Sequence, residues 1–325
     1  MRTAIVTYAR VANDRGNPVF LAAGNRLRLV PAYHALANEG TAPVIFAGAD
    51  EEDILANRHF RESEQVLFGK FVKPMPELIE FCRRRGKRIV FDFCDDPWDY
   101  PELRPTIAAG AEADLCTTSS DGLARKLKDR LDVPVEVVKE PPDCAYGVPR
   151  VAPIGNRVRL LWFGSDSNAD SLGGLVETLM PLTPEHKIEL TLVGGERRAY
   201  EPVLAAATRH FSIVFRQWEI GLLDRAMRRS DIVLIPKRGG PWSRFKSENR
   251  LVTSLAGGRI AVAGQIESYE KLSDWCVLTS DFRAAVADIL ERPKLYRKKV
   301  VAGQKHVRRH YDPAVIRRHW QEILG

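Results

Sequence analysis

Short apolar runs rich in Val, Ile and Leu alternate with longer amphipathic segments along the whole chain. Runs of this length, bounded by turn residues, are typical of buried strands, and the segments between them have the period of helices. Strands that alternate with helices form βαβ units, in which the strands run parallel. The pattern therefore predicts an α/β protein with helices packed on parallel sheets.

This alternation occurs in two series separated by a segment at residues 140–156 that is rich in Pro and Gly and weakly periodic, as linkers are. A chain of 325 residues also exceeds the usual size of one hydrophobic core. We therefore predict two Rossmann-like domains, at residues 1–145 and 155–311, followed by a C-terminal helix at 312–325. The predicted strands lie at 3–8, 42–48, 65–70, 88–93, 114–119 and 135–140 in the first series, and at 157–164, 188–195, 211–218, 231–237, 259–264 and 275–280 in the second.

The sequence lacks segments that direct proteins into or across membranes. It has no run of about 18 uncharged apolar residues, and the opening segment MRTAIVTYAR lacks the apolar stretch of a signal peptide. The five cysteines are odd in number and show no CxxC spacing, which argues against a disulfide framework and a zinc site. We therefore expect a cytoplasmic protein with reduced thiols.

The net charge of +7 indicates an anionic partner. Basic residues form short clusters such as CRRRGKR at 82–88, without the interleaved aromatic residues or motifs of nucleic-acid-binding proteins. Polybasic helix ends are attracted to anionic lipid. We expect no nucleic-acid partner and a reversible contact of the 82–88 helix end with the inner face of the cell membrane. The alternative is that these clusters are ordinary solvated helix faces.

A basic loop follows the predicted strand at 231–237. It contains Lys237, Arg238, Arg244 and Lys246, and a helix begins near Ser247. Parallel sheets bind ligands at the carboxyl ends of their strands, and helix N-termini attract phosphate through free backbone N–H groups. The loop therefore predicts a diphosphate site, with a basic surface loop before an ordinary helix as the alternative.

Two glycine turns follow earlier strands of the same series. Gly164 and Ser165 come after the strand at 157–164, and Gly194, Gly195 and Glu196 end the strand at 188–195. Backbone amides and small hydroxyl groups at the first turn could reach a donor phosphate, although glycine after a parallel strand is also common for steric reasons. Their order along the chain favours a shared ligand site with the basic loop.

The segment KSENRLVTSLAGGRIAVA, with the Pro-Lys pair before it, resembles the donor-binding segment of GT-B glycosyltransferases, especially divergent members of the large retaining family. The resemblance places Lys246, Ser247, Asn249 and Arg250 at the donor, and the turn at Gly194, Gly195 and Glu196 beside the donor base and ribose. In that family the helix after the phosphate loop carries, near its third turn, a Glu that holds the donor ribose, and Thr253 stands at its position here. The family also has an acidic residue upstream of this helix, near the sugar, and Lys246 and Ser247 lie near its position in this sequence.

The resemblance implies two Rossmann-like domains that face each other across a cleft, with the C-terminal helix packed back on the first. It also implies metal-independent transfer of a hexosyl or related group from a UDP- or GDP-sugar to a saccharide or lipid-linked acceptor, as in polysaccharide or glycoconjugate biosynthesis. Retention of configuration is implied as well. The nucleotide sugar would be a substrate, and no further cofactor is expected.

The first domain offers an acidic cluster for catalysis. Asp92, Asp95, Asp96 and Asp99 lie at and just beyond the predicted strand at 88–93, where catalytic loops lie in open α/β sheets. Asp95 and Asp96 are our candidates for a base that acts on an acceptor hydroxyl, and His34 on the helix predicted at 25–40 is a third candidate. The alternatives are an Asp-Pro turn with solvated carboxylates or the metal-binding acids of a GT-A glycosyltransferase.

Other catalytic motifs are absent from the sequence, including a Walker P-loop, GxSxG, HExxH and a GxGxxG after the first strand. Two further hypotheses remain open beside sugar transfer. One is a nucleotide-sugar epimerase, which has the same fold, and the other is a non-catalytic protein that binds a saccharide or a partner protein.

Overall fold

The structure, a computed structural model, describes residues 1–8, 11–14, 17–20, 22–37, 42–70, 75–99, 101–151, 156–208, 211–237 and 244–325. The chain forms two compact units. The first comprises Met1–Pro141, Phe245–Ser247 and Asp312–Gly325, and the second comprises Pro142–Arg244 and Glu248–Tyr311.

The first unit is built on a six-stranded parallel sheet with the strand order β4-β1-β5-β6-β7-β8, and a two-stranded antiparallel hairpin of β2 and β3 accompanies it. Its four central strands β1, β5, β6 and β7 are buried on both faces, which is why they appear in the sequence as apolar runs. The strands are β1 (Thr3–Thr7), β2 (Val11–Asp14), β3 (Asn17–Phe20), β4 (Val44–Ala47), β5 (Gln65–Phe68), β6 (Arg88–Phe93), β7 (Leu115–Thr118) and β8 (Val135–Val137). The helices are α1 (Ala23–Ala37), α2 (Glu51–Ala56), α3 (Arg58–Glu62), α4 (Pro76–Arg84), α5 (Pro105–Ala111) and α6 (Asp121–Arg130).

The second unit contains another six-stranded parallel sheet, with the order β11-β10-β9-β12-β13-β14. Numbered within the unit, this is the 3-2-1-4-5-6 order of dinucleotide-binding Rossmann folds. The strands are β9 (Arg157–Phe163), β10 (Lys187–Gly194), β11 (Phe211–Gln217), β12 (Ile232–Ile235), β13 (Ile260–Ala263) and β14 (Val277–Leu278). The helices are α7 (Leu175–Leu179), α8 (Glu201–Leu204), α9 (Leu222–Arg229), α10 (Asn249–Ala256), α11 (Glu267–Glu270), α12 (Phe282–Glu291) and α13 (Pro293–His310).

Each sheet has a point where the strand order reverses, between β1 and β5 in the first unit and between β9 and β12 in the second. Open α/β sheets bind ligands beside such a point, outside the carboxyl ends of the strands. In the second unit, helices cover both faces, since Trp162 packs in the core on one face and Leu251 of α10 in the core on the other. The carboxyl edge next to β9 and β12 is therefore the place to look for a ligand site.

The C-terminal helix α14 (Pro313–Leu324) belongs to the first unit. Its Trp320 is fully buried, and the Arg28 guanidinium of α1 lies 5.3 Å from the Trp320 ring centroid. Gln321 donates a hydrogen bond to the carbonyl of Ala35 at 3.3 Å, and Gln65 of β5 donates to the carbonyl of Leu324 at 3.1 Å. Packing against α1 and β5 thus holds the end of the chain in place.

A buried ion pair connects α1 to β6. Nη2 of Arg28 lies 2.6 Å from Oδ1 of Asp92, and the two side chains are 0% and 1% exposed. Thr117 of β7 also donates to Asp92 at 2.6 Å, and Arg28 donates to the carbonyl of Val138. Asp92 therefore has a structural role inside the first unit, although the sequence grouped it with the candidate catalytic acids.

The predicted α/β class and the two parallel sheets are confirmed, and all twelve predicted strands lie in them. The hairpin of β2 and β3 and the helices α2, α3 and α5 were not predicted. Helix α1 begins at Ala23, before the predicted start at 25, and residues 38–40 at its predicted end lie outside the described part of the chain. No described helix combines the length and apolar character needed to cross a bilayer.

Candidate functional site

The predicted donor residues of the second unit follow neighbouring strands at the carboxyl edge of the sheet. Gly164 and Ser165 follow β9, Gly194 ends β10, and exposed Lys237 follows β12. Because the strands are parallel, these residues share one edge, at the point where the strand order reverses. Arg238, which the sequence adds to this group, lies outside the described residues.

Arg250 brings a second cation to this edge. It is the second residue of α10, and its Nη1 donates to the carbonyl of Phe163, the last residue of β9, at 3.4 Å. A Cβ at Gly164 would lie 3.5 Å from the same Nη1, which places the guanidinium directly beside the glycine turn. Arg250 therefore lies over the end of β9, as a residue that binds a phosphate there would.

The glycine turn after β10 is held by Asp166, an acid that no sequence motif marks. Asp166 accepts hydrogen bonds from the backbone N–H of Gly195 at 2.8 Å, from that of Glu196 at 2.9 Å and from the Tyr200 hydroxyl at 3.0 Å. Burial and this carboxylate raise the pKa of Tyr200. A Cβ at Gly195 would lie 2.5 Å from an Asp166 oxygen, which explains the glycine.

The backbone amides of both glycine turns have partners within the second unit. The N–H groups of Gly195 and Glu196 donate to Asp166, and the N–H of Gly164 donates to the carbonyl of Val193 at 3.1 Å. The contact of these turns with a donor stays a prediction. Ser165 is exposed, and its hydroxyl lies 2.9 Å from that of Ser167, so it remains accessible to a ligand.

A cavity of about 490 Å³ opens at the same edge of the second unit. The ends of three strands line it, together with the loop before α7 and the start of α12. A volume of this size is within the range of small-molecule sites. Strand-end residues in its wall are Pro236, Lys237, Gly264, Gln265, Thr279 and Ser280.

The start of α10 differs from the arrangement that the resemblance implies. Thr253 is fully buried, and its hydroxyl accepts from the N–H of Asp143 at 3.0 Å and donates to Asn249 at 3.3 Å. Thr253 lies one turn after Asn249 on the buried side of α10, so its side chain faces the interior. Buried Glu248, which precedes α10, accepts from the Tyr311 hydroxyl at 2.7 Å and is the acid nearest in sequence to the helix start.

Lys246 and Ser247, also predicted at the donor, belong to the first unit. The Lys246 ammonium donates to Asp95, and the Ser247 hydroxyl donates to Glu140. Phe245 beside them packs on the core of the first unit. Both side chains therefore contact acids of the first unit, and their contact with a donor stays a prediction.

The acidic cluster lies at the carboxyl end of β6, where it was predicted. Burial by itself would raise the pKa of Asp95, but the ammonium groups of Lys246 and Lys70 lower it to about 2. The Lys70 ammonium lies 2.7 Å from Asp95, and Lys126 lies 2.5 Å from Asp96. Both predicted acids are therefore ion-paired, and the lowered pKa makes Asp95 a poor base.

Asp99, a member of the same cluster, differs from Asp95 in the direction in which its pKa is shifted. Burial and the neighbouring Asp96 carboxylate raise its pKa, and its Oδ1 is 3.7 Å from the Lys126 ammonium. A carboxylate with a raised pKa takes up a proton more readily. Asp99 is thus better suited as a base than Asp95, whose pKa is lowered.

His34 lies away from these acids. Asn25 near the start of α1 donates to Thr7 at the carboxyl end of β1, at 2.5 Å. His34 is nine residues further along the helix, or about 13 Å at the usual rise. Burial and the positive charge of Arg317 on α14 lower its pKa. The structure therefore places His34 near the opposite edge of the sheet, and its catalytic role stays a prediction.

Within the described residues, no group of three or more His, Cys, Asp or Glu side chains could hold a metal ion. Asp95, Asp96 and Asp99, which the GT-A alternative would use as metal ligands, are among the described residues and form no such group.

Two Rossmann-like units in one chain are the architecture of the GT-B fold of glycosyltransferases, and solved structures of that fold match the whole chain. Anabaena HepE in complex with UDP and glucose matches with a TM-score of 0.72 at 11% identity, covering 100% of this chain and 99% of that chain. An alpha-glucosyltransferase (AGT) in complex with UDP has a TM-score of 0.70 at 10% identity, with 100% and 99% covered. A glycosyltransferase from Rickettsia africae ESF-5 has 0.68 at 12%, with the same coverage.

No protein-family model and no curated protein sequence matches the chain. The structural matches confirm the predicted GT-B fold, and at identities near 11% they show the fold alone. What the protein does must be inferred from its own site.

Proposed function

We propose that this protein is a glycosyltransferase that takes a hexosyl group from a UDP- or GDP-sugar and passes it to a saccharide or lipid-linked acceptor. The observation that carries the proposal is the pair of cations, Lys237 and Arg250, at the carboxyl edge of the second sheet where its strand order reverses. The solved HepE structures with UDP and with UDP-glucose support it, because they have the same fold.

The chemistry of transfer explains why cations are needed there. When the bond between the sugar and the diphosphate breaks, negative charge develops on the leaving oxygen. A fixed guanidinium and a nearby ammonium stabilise that charge. We propose that Arg250 and Lys237 do this without a divalent metal, and that the nucleotide sugar is a substrate and not a cofactor.

On the acceptor side, Asp99 is better suited than Asp95 to accept the proton of an acceptor hydroxyl. Its raised pKa contrasts with that of Asp95, which two lysines keep ionised. The hydroxyl oxygen then forms the new bond to the sugar as the diphosphate leaves. Polysaccharide or glycoconjugate synthesis would use such a reaction.

Calorimetric titration of UDP and GDP into the wild-type protein and a Lys237→Ala variant tests this site. We expect one of the two nucleotides to bind, and Lys237→Ala to weaken that binding by roughly 10- to 150-fold, the effect of losing a charge-assisted hydrogen bond. Arg157→Ala is the matched control, since Arg157 is exposed, pairs with Glu189 and lies at the start of β9, at the opposite edge of the sheet. Equal affinity in all three proteins would contradict the assignment of the site.

A further inference from the structure

The whole net charge of the protein resides on one helix. Seven of the 49 lysines and arginines lie in α13, which contains no Asp or Glu. The other 42 are balanced by the 42 acidic residues elsewhere in the chain, so the excess of +7 equals the charge of α13.

Most of these cations point to solvent. Lys294, Lys298 and Lys305 are exposed and recur at the spacing that puts residues on one side of a helix. The opposite side of α13 packs on the second unit through residues such as Tyr296, Val300 and Val307. Within the described residues, no acidic side chain forms an ion pair with these three lysines. The outward side of α13, which we call the α13 face, is therefore an uncompensated positive surface.

Two apolar side chains lie among these cations. Leu295 is 43% exposed and Val301 is 38% exposed, and both are among the few large apolar residues that the described part of the chain leaves open to solvent. Cations flanking exposed aliphatic groups are the composition of helices that lie on a lipid surface.

The cluster at 82–88, where the sequence predicted membrane contact, does not form an uncompensated positive surface of this kind. Arg83 lies 3.2 Å from Asp114, and Arg84 pairs with Glu80. Lys87 is buried and donates to backbone carbonyls, including that of Phe60 at 3.0 Å. Its charges are thus largely compensated within the first unit.

We propose that the α13 face is a docking surface for an anionic lipid bilayer. Helix α13 has 18 residues and extends for about 27 Å, so several lipid headgroups fit along it. A lipid surface is favoured over a nucleic acid because Tyr296, the one Phe, Tyr or Trp in this fully described helix, is buried and cannot stack on bases. Each Lys or Arg near an anionic bilayer strengthens binding by roughly fivefold.

Sedimentation of the full chain with vesicles tests this surface. One set contains equal parts of phosphatidylcholine and phosphatidylglycerol, and the other contains phosphatidylcholine alone. We expect the wild type to sediment with the anionic vesicles at low salt and to be released at high salt, since the charges are screened over about 8 Å at physiological ionic strength. Replacing Lys294, Lys298 and Lys305 by Gln should weaken binding by roughly 100-fold.

Two triple variants serve as controls. Arg83→Gln, Arg84→Gln and Arg85→Gln remove the same charge from the 82–88 cluster and should change binding far less, and Lys→Arg at the three α13 positions should retain it. Equal losses in both Gln variants would show that only net charge matters and would overturn the proposal. Sedimentation with neither vesicle, or loss of oligonucleotide binding in the α13 variant while its vesicle binding is unchanged, would overturn it as well.

Discussion

Replacing Arg250 with Ala is expected to lower kcat/KM for sugar transfer by roughly 100- to 1,000-fold, the usual effect of removing one fixed donor to developing charge. Arg250 is held over the end of β9 by its contact with the carbonyl of Phe163. Its guanidinium is therefore already in place when the leaving diphosphate gains charge. The alanine side chain has no positive charge and leaves that position to water.

Steady-state kinetics with the best nucleotide sugar measure this effect, with Arg250→Lys as the matched variant. Lysine keeps the charge but lacks the planar pair of donors, so its activity should lie between those of the wild type and the alanine variant. Thermal unfolding of each variant checks that the fold is retained. If the Arg250→Ala variant has the same kcat/KM as the wild type, Arg250 takes no part in the reaction.

Replacing Asp92 with Ala is expected to lower the free energy of unfolding by about 3–5 kcal/mol, because it leaves a buried charge without its partner. The guanidinium of Arg28 is fully buried, with Asp92 on one side and the Trp320 ring near it. The loss should fall on the first unit, where α1, β6 and α14 meet around this pair.

Urea unfolding monitored by Trp fluorescence measures the change. Arg58→Ala, which removes an exposed partner of Glu62, is the control and should leave the midpoint unchanged. A double variant with Met at position 28 and Leu at position 92 should recover much of the stability, since an apolar pair can replace a buried ion pair. An Asp92→Ala protein as stable as the control would show that the pair contributes little.

The sheets could be predicted because parallel strands buried on both faces leave continuous apolar runs in the sequence. The strand predicted at 88–93 matches β6 at both ends, and β12 lies within the strand predicted at 231–237. Helices α2 and α3 have six and five residues, too few to show a helical period. The hairpin of β2 and β3 has four residues in each strand and gives an equally weak signal.

The site could be predicted only in part, because its contacts join distant parts of the chain. Asp95 and Lys246 are 151 residues apart, and no local pattern shows that they pair. Likewise, the spacing in the donor-binding pattern gave the position of Thr253 along α10, but its burial depends on the packing of Asp143 against that helix. Asp166 comes soon after the predicted strand at 157–164, whereas its partners Gly195 and Tyr200 come after the next strand. No local pattern shows that they meet.

Glycosyl transfer can be measured directly by following a radiolabelled sugar from UDP- and GDP-hexoses in the presence of EDTA and a panel of saccharide and lipid-linked acceptors. The proposed function predicts that the label moves from one of these donors to an acceptor, or slowly to water, with release of the nucleoside diphosphate and no need for added metal. Label that stays in an intact but isomerised nucleotide sugar would indicate an epimerase. Donors that all remain unchanged, with and without added manganese, would contradict glycosyl transfer and leave a protein that only binds its ligand.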